Sequence, residues 1–391
     1  MGVFEDSVNT FLAVVKPYLD DDAVSEVLCN GPQEIFIEKR GLLEKVPVQF
    51  KDEQALQAAV RNIAQFVGRT VDEDNPILDA RLPDGSRVAA VLPPCSRKGT
   101  TLSIRKFSKG SPSFVDLINR GSISKEAARF LDVCIYLAKN LIISGGTGSG
   151  KTTLLNVLGS RIPGTQRLLI IEDASELKIK TDHVVYMETK HPDAFGKGAV
   201  TIRDLIKSAL RLRPDRIVVG EVRGSEAMDL VTAMNTGHGG SMGTTHANTP
   251  YDALVRLETL AMMGDSNVPV AAIRRQISAA IHMVVQIKRL DDGSRKITAI
   301  SEVLPEVDEQ GRYSIRDIFR FVQRGKTPEG KIVGEFVPTG YIPTFMHEIE
   351  INRLPFPRER FNPPDWYKAQ MAREESQTKK LGGGHGSGHA A

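Results

Sequence analysis

The sequence predicts an α/β protein of two domains, the second built on a parallel sheet with a phosphate-binding loop, and three observations carry that prediction. With 391 residues, 41% of them hydrophobic and 25% charged, the chain has an ordinary globular balance and enough length for two cores. The apolar run Leu141-Ile142-Ile143 leads into Gly145-Gly146-Thr147-Gly148-Ser149-Gly150-Lys151-Thr152, which satisfies G-x-x-x-x-G-K-S/T in full, and Leu154, Leu155 and Leu158 then mark a helix. Two later apolar runs, Leu168 to Ile171 and Ile217 to Val219, lead into the acids Glu172 and Glu221. Carboxylates at the C-terminal ends of strands lie on the ligand side of an open α/β sheet.

The first domain is expected over residues 1–107 as a small mixed α/β unit. Val24 to Cys29 and Glu34 to Glu38 read as strands joined by the turn Asn30-Gly31-Pro32. Asp52 is a candidate N-cap for a helix whose Leu56, Ala59, Val60, Ile63 and Val67 recur at helical spacing, one apolar stripe to lay on a sheet. Ile77 to Leu82 and Arg87 to Val91 flank Pro83-Asp84-Gly85, which reads as a hairpin turn. Residues 108–123, with Gly110, Pro112 and Gly121, read as a linker that can change angle.

The second domain, residues 124–350, opens with a helix from Ser124 to Ala138. It sets Ala127, Phe130, Leu131, Cys134 and Ala138 on one face, so Cys134 is a core residue rather than a reactive one. Glu226 to Asn235 reads as another helix, and Thr236 to Asn248 as a segment too polar and too rich in glycine for a plain buried strand. Ala272 to Ile287 reads as an amphipathic helix and strand, and Asp291-Asp292-Gly293 as a hairpin turn into Lys296 to Val303. Apolar and polar residues alternate from Pro305 to Phe345, so that stretch is folded. Residues 351–391 form an extension, rich in proline and charge beyond Phe356, and its flexible Gly/His-rich tail carries His385 and His389, which have little claim to a metal.

The chemistry sits on the loop and the strand ends. Glycines let the backbone adopt left-handed conformations, so successive N–H groups from about Gly148 to Lys151 point inward at phosphate oxygens. Lys151 adds a fixed charge for the β and γ phosphates of ATP, Thr152 offers a hydroxyl to Mg²⁺, and the helix turns its N-terminal dipole to the nucleotide, with Thr153 closing the contact set. Arg216 to Glu221 has the form of a Walker B strand, whose acid reaches Mg²⁺ through water or orients the attacking water. The structural alternative for Glu221 is a cap on the next helix. Glu172 is the candidate for polarising the water, with Glu176 in reserve, and Arg223 follows Glu221 at once. His238 and His246 bracket a Gly/Ser/Thr run where a γ-phosphate could be sensed, and they stand too far apart along an extended strand to share a metal. Arg69, Arg81, Arg87, Arg97 and Arg105 read singly as solvated arginines and together as a set from which some face a phosphate, in the same subunit or a neighbour.

Composition excludes several classes. A net charge of +3 is far from the concentrated positive surface of a dedicated DNA-binding domain, so nucleic acid is not the expected partner. Cys29, Cys95 and Cys134 form no C-x-x-C pair, which speaks against a disulfide framework or a zinc site and fits a reducing cytoplasm. No apolar run approaches the ~20 residues of a membrane span. The N-terminus lacks a basic segment followed by an apolar one, and Asp6 stands where myristoylation after Met1-Gly2 needs Ser or Thr, so any membrane association is expected to be peripheral.

Together these motifs resemble the hexameric secretion ATPases of type II and type IV secretion and type IV pili, and most closely their CpaF branch, the motors of Tad or Flp pili. The resemblance is carried by Leu78-Asp79-Ala80-Arg81-Leu82-Pro83-Asp84-Gly85-Ser86-Arg87-Val88, by Leu102-Ser103-Ile104-Arg105-Lys106-Phe107 and by the glycine-rich loop. Ile171-Glu172-Asp173-Ala174-Ser175-Glu176-Leu177, Arg213-Pro214-Asp215-Arg216-Ile217, Gly220-Glu221-Val222-Arg223-Gly224 and Asn235 through Asn248 complete it, over about residues 24 to 345. It implies a RecA-like P-loop ATPase domain preceded by a smaller mixed α/β, PAS-like domain. It also implies a homo-oligomeric, hexameric ring at the cytoplasmic face of the bacterial inner membrane, working with an inner-membrane platform protein. Glu172 to Glu176 would be the Asp box and Gly237 to His246 the His box, and Arg81, Arg87 or Arg105 would complete the nucleotide site. Three features depart from the branch: Ala89 replaces its usual Asn, Lys190 replaces an Arg, which weakens any bidentate role there, and the chain starts almost at the shared domain, without the long N-terminal extension. The tetracysteine module of the type II secretion branch is lacking, which argues against that branch.

The expected activity is Mg²⁺-dependent ATP hydrolysis turned into domain rotation, driving pilin export or assembly of a Tad pilus. The alternatives are the ATPase of a type IV secretion system, a nucleotide-binding structural ring, and a DNA translocase. For the last, Arg211, Arg213 and Arg216 could be cited, but beside Pro214 and Asp215 they read as serving the ATPase core.

Overall fold

The computed structural model describes residues 10–39, 41–82, 84–106, 110, 112–190, 192, 196–264 and 268–382, with side chains as far as 373. The chain divides into two compact units, Met1–Gly110 and Ser111–Ala391.

In the first unit, strands β1 (Val24–Asn30), β2 (Ile35–Lys39), β3 (Leu42–Val46), β4 (Ile77–Arg81), β5 (Arg87–Val91) and β6 (Thr101–Arg105) form one antiparallel sheet in the order β3-β2-β1-β6-β5-β4. The helix Glu53–Phe66 begins at Asp52, whose carboxylate accepts the Ala55 N–H at 2.8 Å. Its stripe of Leu56, Ala59, Val60 and Ile63 is buried with Val27, Ile35, Val88, Leu102 and Ile104 of the sheet.

In the second unit, strands β7 (Leu141–Ser144), β8 (Leu168–Glu172), β9 (Val184–Glu188), β10 (Arg216–Val219), β11 (Met242–Thr245), β12 (Met283–Arg289), β13 (Arg295–Val307), β14 (Tyr313–Lys326) and β15 (Ile332–Pro338) form a sheet in the order β15-β14-β13-β12-β7-β11-β10-β8-β9. From β12 to β9 the strands run parallel, and β12 to β15 make an antiparallel meander. Alternation along the strands feeds two cores. Leu141, Ile143, Leu168 and Ile170 join the helices Lys125–Tyr136 and Lys151–Gly159 on one side. Ile142, Leu169 and Ile171 join the helices Ile202–Ala209, Glu226–Asn235, Pro250–Met262 and Val270–Ala280 on the other. Both faces are covered, as a parallel sheet requires.

The structure differs from the sequence reading at three places. The stretch read as a linker contains the helix Phe114–Asn119, because Ser113 and Asp116 form a reciprocal capping box and Leu117 is buried. Thr236 to Asn248 does hold a buried strand: all four residues of β11 are buried between β7 and β10, and its polarity is accommodated by bonds such as Thr244 Oγ1 to the Gly220 carbonyl at 2.7 Å. The extension begins as core rather than as an appendage. Phe356 and Phe361 are buried with their ring centroids each 5.6 Å from that of Phe130, since apolar rings outweigh the proline-rich context around them. His385 and His389, the Met1-Gly2 and Asp6 reading, and Pro83 of the expected turn lie outside the described residues. Among the described residues no helix is long and apolar enough to cross a membrane, and no group of three His, Cys, Asp or Glu is placed to hold a metal ion.

Candidate functional site

β7 lies between β12 and β11, and the chain leaves its C-terminal end into the glycine-rich loop. A Cβ at Gly145 would lie 2.3 Å from the Ile287 carbonyl oxygen, so only glycine lets the loop pass β12. Gly148 and Gly150 have φ of +67° and +101°, the left-handed turns that a phosphate cradle needs. Gly150 then caps the helix Lys151–Gly159. Lys151 is only 8% exposed, and its Nζ donates to the carbonyls of Gly145 at 3.0 Å and Gly146 at 3.1 Å. Gly146 has open space at its Cβ position, Thr152 is half-buried and Thr153 exposed.

The ends of β10 and β11 meet this lysine. Lys151 Nζ lies 3.4 Å from both ring nitrogens of His246, just past β11. His246 Nε2 lies 2.6 Å from Glu221 Oε1, and Arg223 Nη2 donates to Glu221 Oε2 at 2.6 Å. Arg223 also stands 3.8 Å from Asp173. The His246–Glu221 approach is close in distance but lacks hydrogen-bond geometry, so Glu221 Oε1 is a buried oxygen without a donor. Burial pushes the Glu221 carboxyl up, but Arg223 and Lys151, joined by His246 at acid pH where its ring is protonated, outweigh it and hold it below the ordinary carboxylate range. Burial and the Lys151 ammonium lower His246, so the ring is neutral near pH 7.

Glu172 is placed differently from Glu221. It is 3% exposed, and its Oε1 accepts the N–H groups of Glu176 at 2.8 Å and Leu177 at 3.0 Å, holding the loop after β8. Burial raises its carboxyl to about 7 against the pull of those two bonds. Gly220 makes room for it, since a Cβ there would lie 2.9 Å from Glu172 Cγ. Glu176 is half-buried on the same loop.

His238 does not join this cluster. It precedes β11, where Nδ1 contacts the Ala233 carbonyl at 3.2 Å, and a Cβ on the adjoining Gly239 would lie 3.4 Å from the carbonyl of Ala138, ahead of β7. Because β7 and β11 are parallel, that is the end of the sheet opposite the glycine-rich loop, so of the two histidines only His246 stands beside that loop.

In the first unit, Arg81 is the register partner of Arg87 across β4–β5, and Arg87 that of Arg105 across β5–β6. Residues directly opposite in an antiparallel pair share a face, so the three arginines form one row, with Glu26 opposite Arg105 on β1. Lys190, at the position read as a departure, is exposed.

Three residues near the loop carry no sequence signal. Gln286 donates to the Ala247 carbonyl at 3.0 Å and leaves Oε1 buried without a partner. Arg289 and Arg295, on either side of the β12–β13 turn, lie against the loop glycines. None could be found without knowing that β12 neighbours β7. The arrangement fits a nucleotide with Mg²⁺: left-handed loop glycines and Lys151 for phosphates, and a buried carboxylate oxygen on Glu221 that lacks a hydrogen-bond donor and suits a cation or its water.

Among known proteins, the family described as Type II/IV secretion system protein matches residues 9–325. A Mycobacterium tuberculosis protein whose name assigns it provisionally to conjugal transfer is 34% identical over 298 residues, which are 75% of this chain and 84% of the relative. VirB11 of the Brucella suis type IV secretion system is 32% identical over 326 residues, covering 76% of this chain and 90% of that protein. Of solved structures, the pilus retraction motor PilT with bound ADP aligns with a TM-score of 0.50 at 17% identity, over 89% of this chain and 87% of that one, a likeness of fold in which a smaller domain precedes a RecA-like ATPase domain. The matched span takes in the six-stranded sheet, all the parallel strands and every residue of the Lys151–Glu221 cluster, so the chain belongs to the type II/IV secretion system protein family.

Proposed function

We propose that the chain is the ATP-hydrolysing motor of a type IV secretion machine, working as a homo-oligomeric ring at the cytoplasmic face of the inner membrane. The observation that carries this is the cluster Lys151–His246–Glu221–Arg223 at the mouth of a formed phosphate loop. Relatives named for conjugal transfer and as VirB11 favour this machine over a Tad pilus. The Tad reading stays as the second, on the CpaF-like run from Leu78 to Val88.

Mg²⁺, when bound, would supply charge neutralisation to the phosphates, and Thr152 and Glu221 are the residues that would hold it. Loop amides and Lys151 bind and orient the polyphosphate. Glu221, kept ionised by its cationic neighbours, accepts from the attacking water, and neutral His246 stands beside it against Lys151. Glu172 holds the Asp-box loop, on which Glu176 stands as the reserve acid for the water. From the row Arg81, Arg87 and Arg105 we assign one arginine to the nucleotide of a neighbouring subunit, where its guanidinium would offset charge developing on the phosphates.

ATP turnover per subunit, measured across protein concentration for the native chain, Lys151→Ala and Arg105→Ala, tests this. Native turnover should rise with concentration, Lys151→Ala should abolish it, and loss of the acting arginine should cost about 10³-fold or more. Native-like turnover in Lys151→Ala would sink the enzyme assignment, and a rate independent of concentration and of Arg105 would sink the ring.

A further inference from the structure

We infer that the β12–β13 hairpin is a built part of the phosphate cradle, with Arg295 as the positioning residue that keeps the Gly148–Ser149 peptide turned for phosphate; this rests on the nucleotide reading of the site. The hairpin lies along the loop. Ile287 crowds Gly145, a Cβ on Gly148 would stand 3.6 Å from Arg289 Nη1, and one on Gly150 would stand 3.5 Å from both Arg295 Cδ and Ile287 Cδ1. Arg295 Nε donates to the Gly148 carbonyl at 2.9 Å. In a trans peptide the carbonyl and the following N–H point in opposite directions. Holding the Gly148 carbonyl toward the hairpin therefore turns the Ser149 N–H into the loop, where it lies 3.4 Å from the Gly146 carbonyl. That N–H is one of the donors on which the cradle depends.

The hairpin is itself anchored. Asp292 Oδ1 accepts the Ser294 N–H at 3.0 Å and its hydroxyl at 2.6 Å, and Oδ2 accepts the Ile332 N–H of β15 at 2.8 Å. Arg295 is thus presented from a tied turn rather than from a free loop end. Arg289 and Arg295 are register partners across β12–β13, and both side chains lie beside the loop.

The test uses the full chain and a fluorescent ADP analogue, with Arg295→Gln and Arg295→Lys compared for Kd, for KM and kcat with ATP, and for thermal unfolding without nucleotide. Arg295→Gln should weaken analogue binding about tenfold and raise KM more than it lowers kcat, while unfolding without nucleotide stays near native. Arg295→Lys should recover part of the binding. Native-like affinity in Arg295→Gln would overturn the inference, as would a drop in nucleotide-free unfolding temperature that accounts for the weakened binding. A native chain that binds no analogue would instead overturn the nucleotide reading on which the inference rests.

Discussion

Glu172 and Glu221 sit at the ends of neighbouring strands and titrate in opposite directions. Burial acts on both, but only Glu221 has cations within reach to reverse it. The Glu172 carboxyl, raised from 4.5 to about 7, holds a proton in the folded state that the unfolded chain gives up earlier. Its favourable contribution is therefore complete below 4.5 and is lost as pH rises through about 7. Glu172→Gln keeps an acceptor for the Glu176 and Leu177 amides and has no charge to bury. Between about pH 5 and 8 the native chain should lose on the order of 2 kcal/mol of stability relative to this variant. Denaturant unfolding across that range gives the answer, and parallel curves for the two proteins would show that Glu172 is ionised when folded.

The glycine-rich loop works as an element because β12 is its wall. Gly145 and Gly146 are adjacent yet differ in kind: a methyl at 145 meets the Ile287 carbonyl at 2.3 Å, and one at 146 meets nothing within 4 Å. Gly145→Ala should cost about 1–3 kcal/mol of stability by overpacking and should also weaken nucleotide binding. Gly146→Ala should leave stability within about 0.5 kcal/mol of native, by comparison with other open sites. Chemical denaturation of the pair reads the contrast directly, and equal losses would mean that β12 does not press on the loop.

Among the described residues of the whole molecule the hydrophobic side chains form one core in the first unit and two in the second, separated by the nine-stranded sheet. Phe130 is the hub of the core under the Lys151–Gly159 helix, with the rings of Phe319, Phe345, Phe356 and Phe361 within 6.2 Å. Phe130→Ala should cost about 3–5 kcal/mol. The loss belongs to the second unit alone, so calorimetry should show one transition lowered and the transition of the first unit unmoved. A uniform shift would mean that the two units unfold as one.

By itself the sequence determined the parallel-sheet fold class, the glycine-rich loop between strand and helix, the Arg216–Val219 strand with Glu221 just past it, and the stripe of the Glu53–Phe66 helix. Each is written in residues that are neighbours along the chain, so spacing alone exposes its physics. Tertiary structure decided which of those residues meet. His238 and His246 look equivalent in sequence, but the short strand β11 between them carries one to each end of the sheet. Arg81, Arg87 and Arg105 are scattered in the text, and antiparallel register makes them a row. Phe356 and Phe361 sit among prolines and charges that suggest a tail, and only the space beside Phe130 makes them core. Arg295 reaches the loop because β12 pairs with β7 across more than half the second unit's chain, a long-range choice set by burial of both strands rather than by any local pattern.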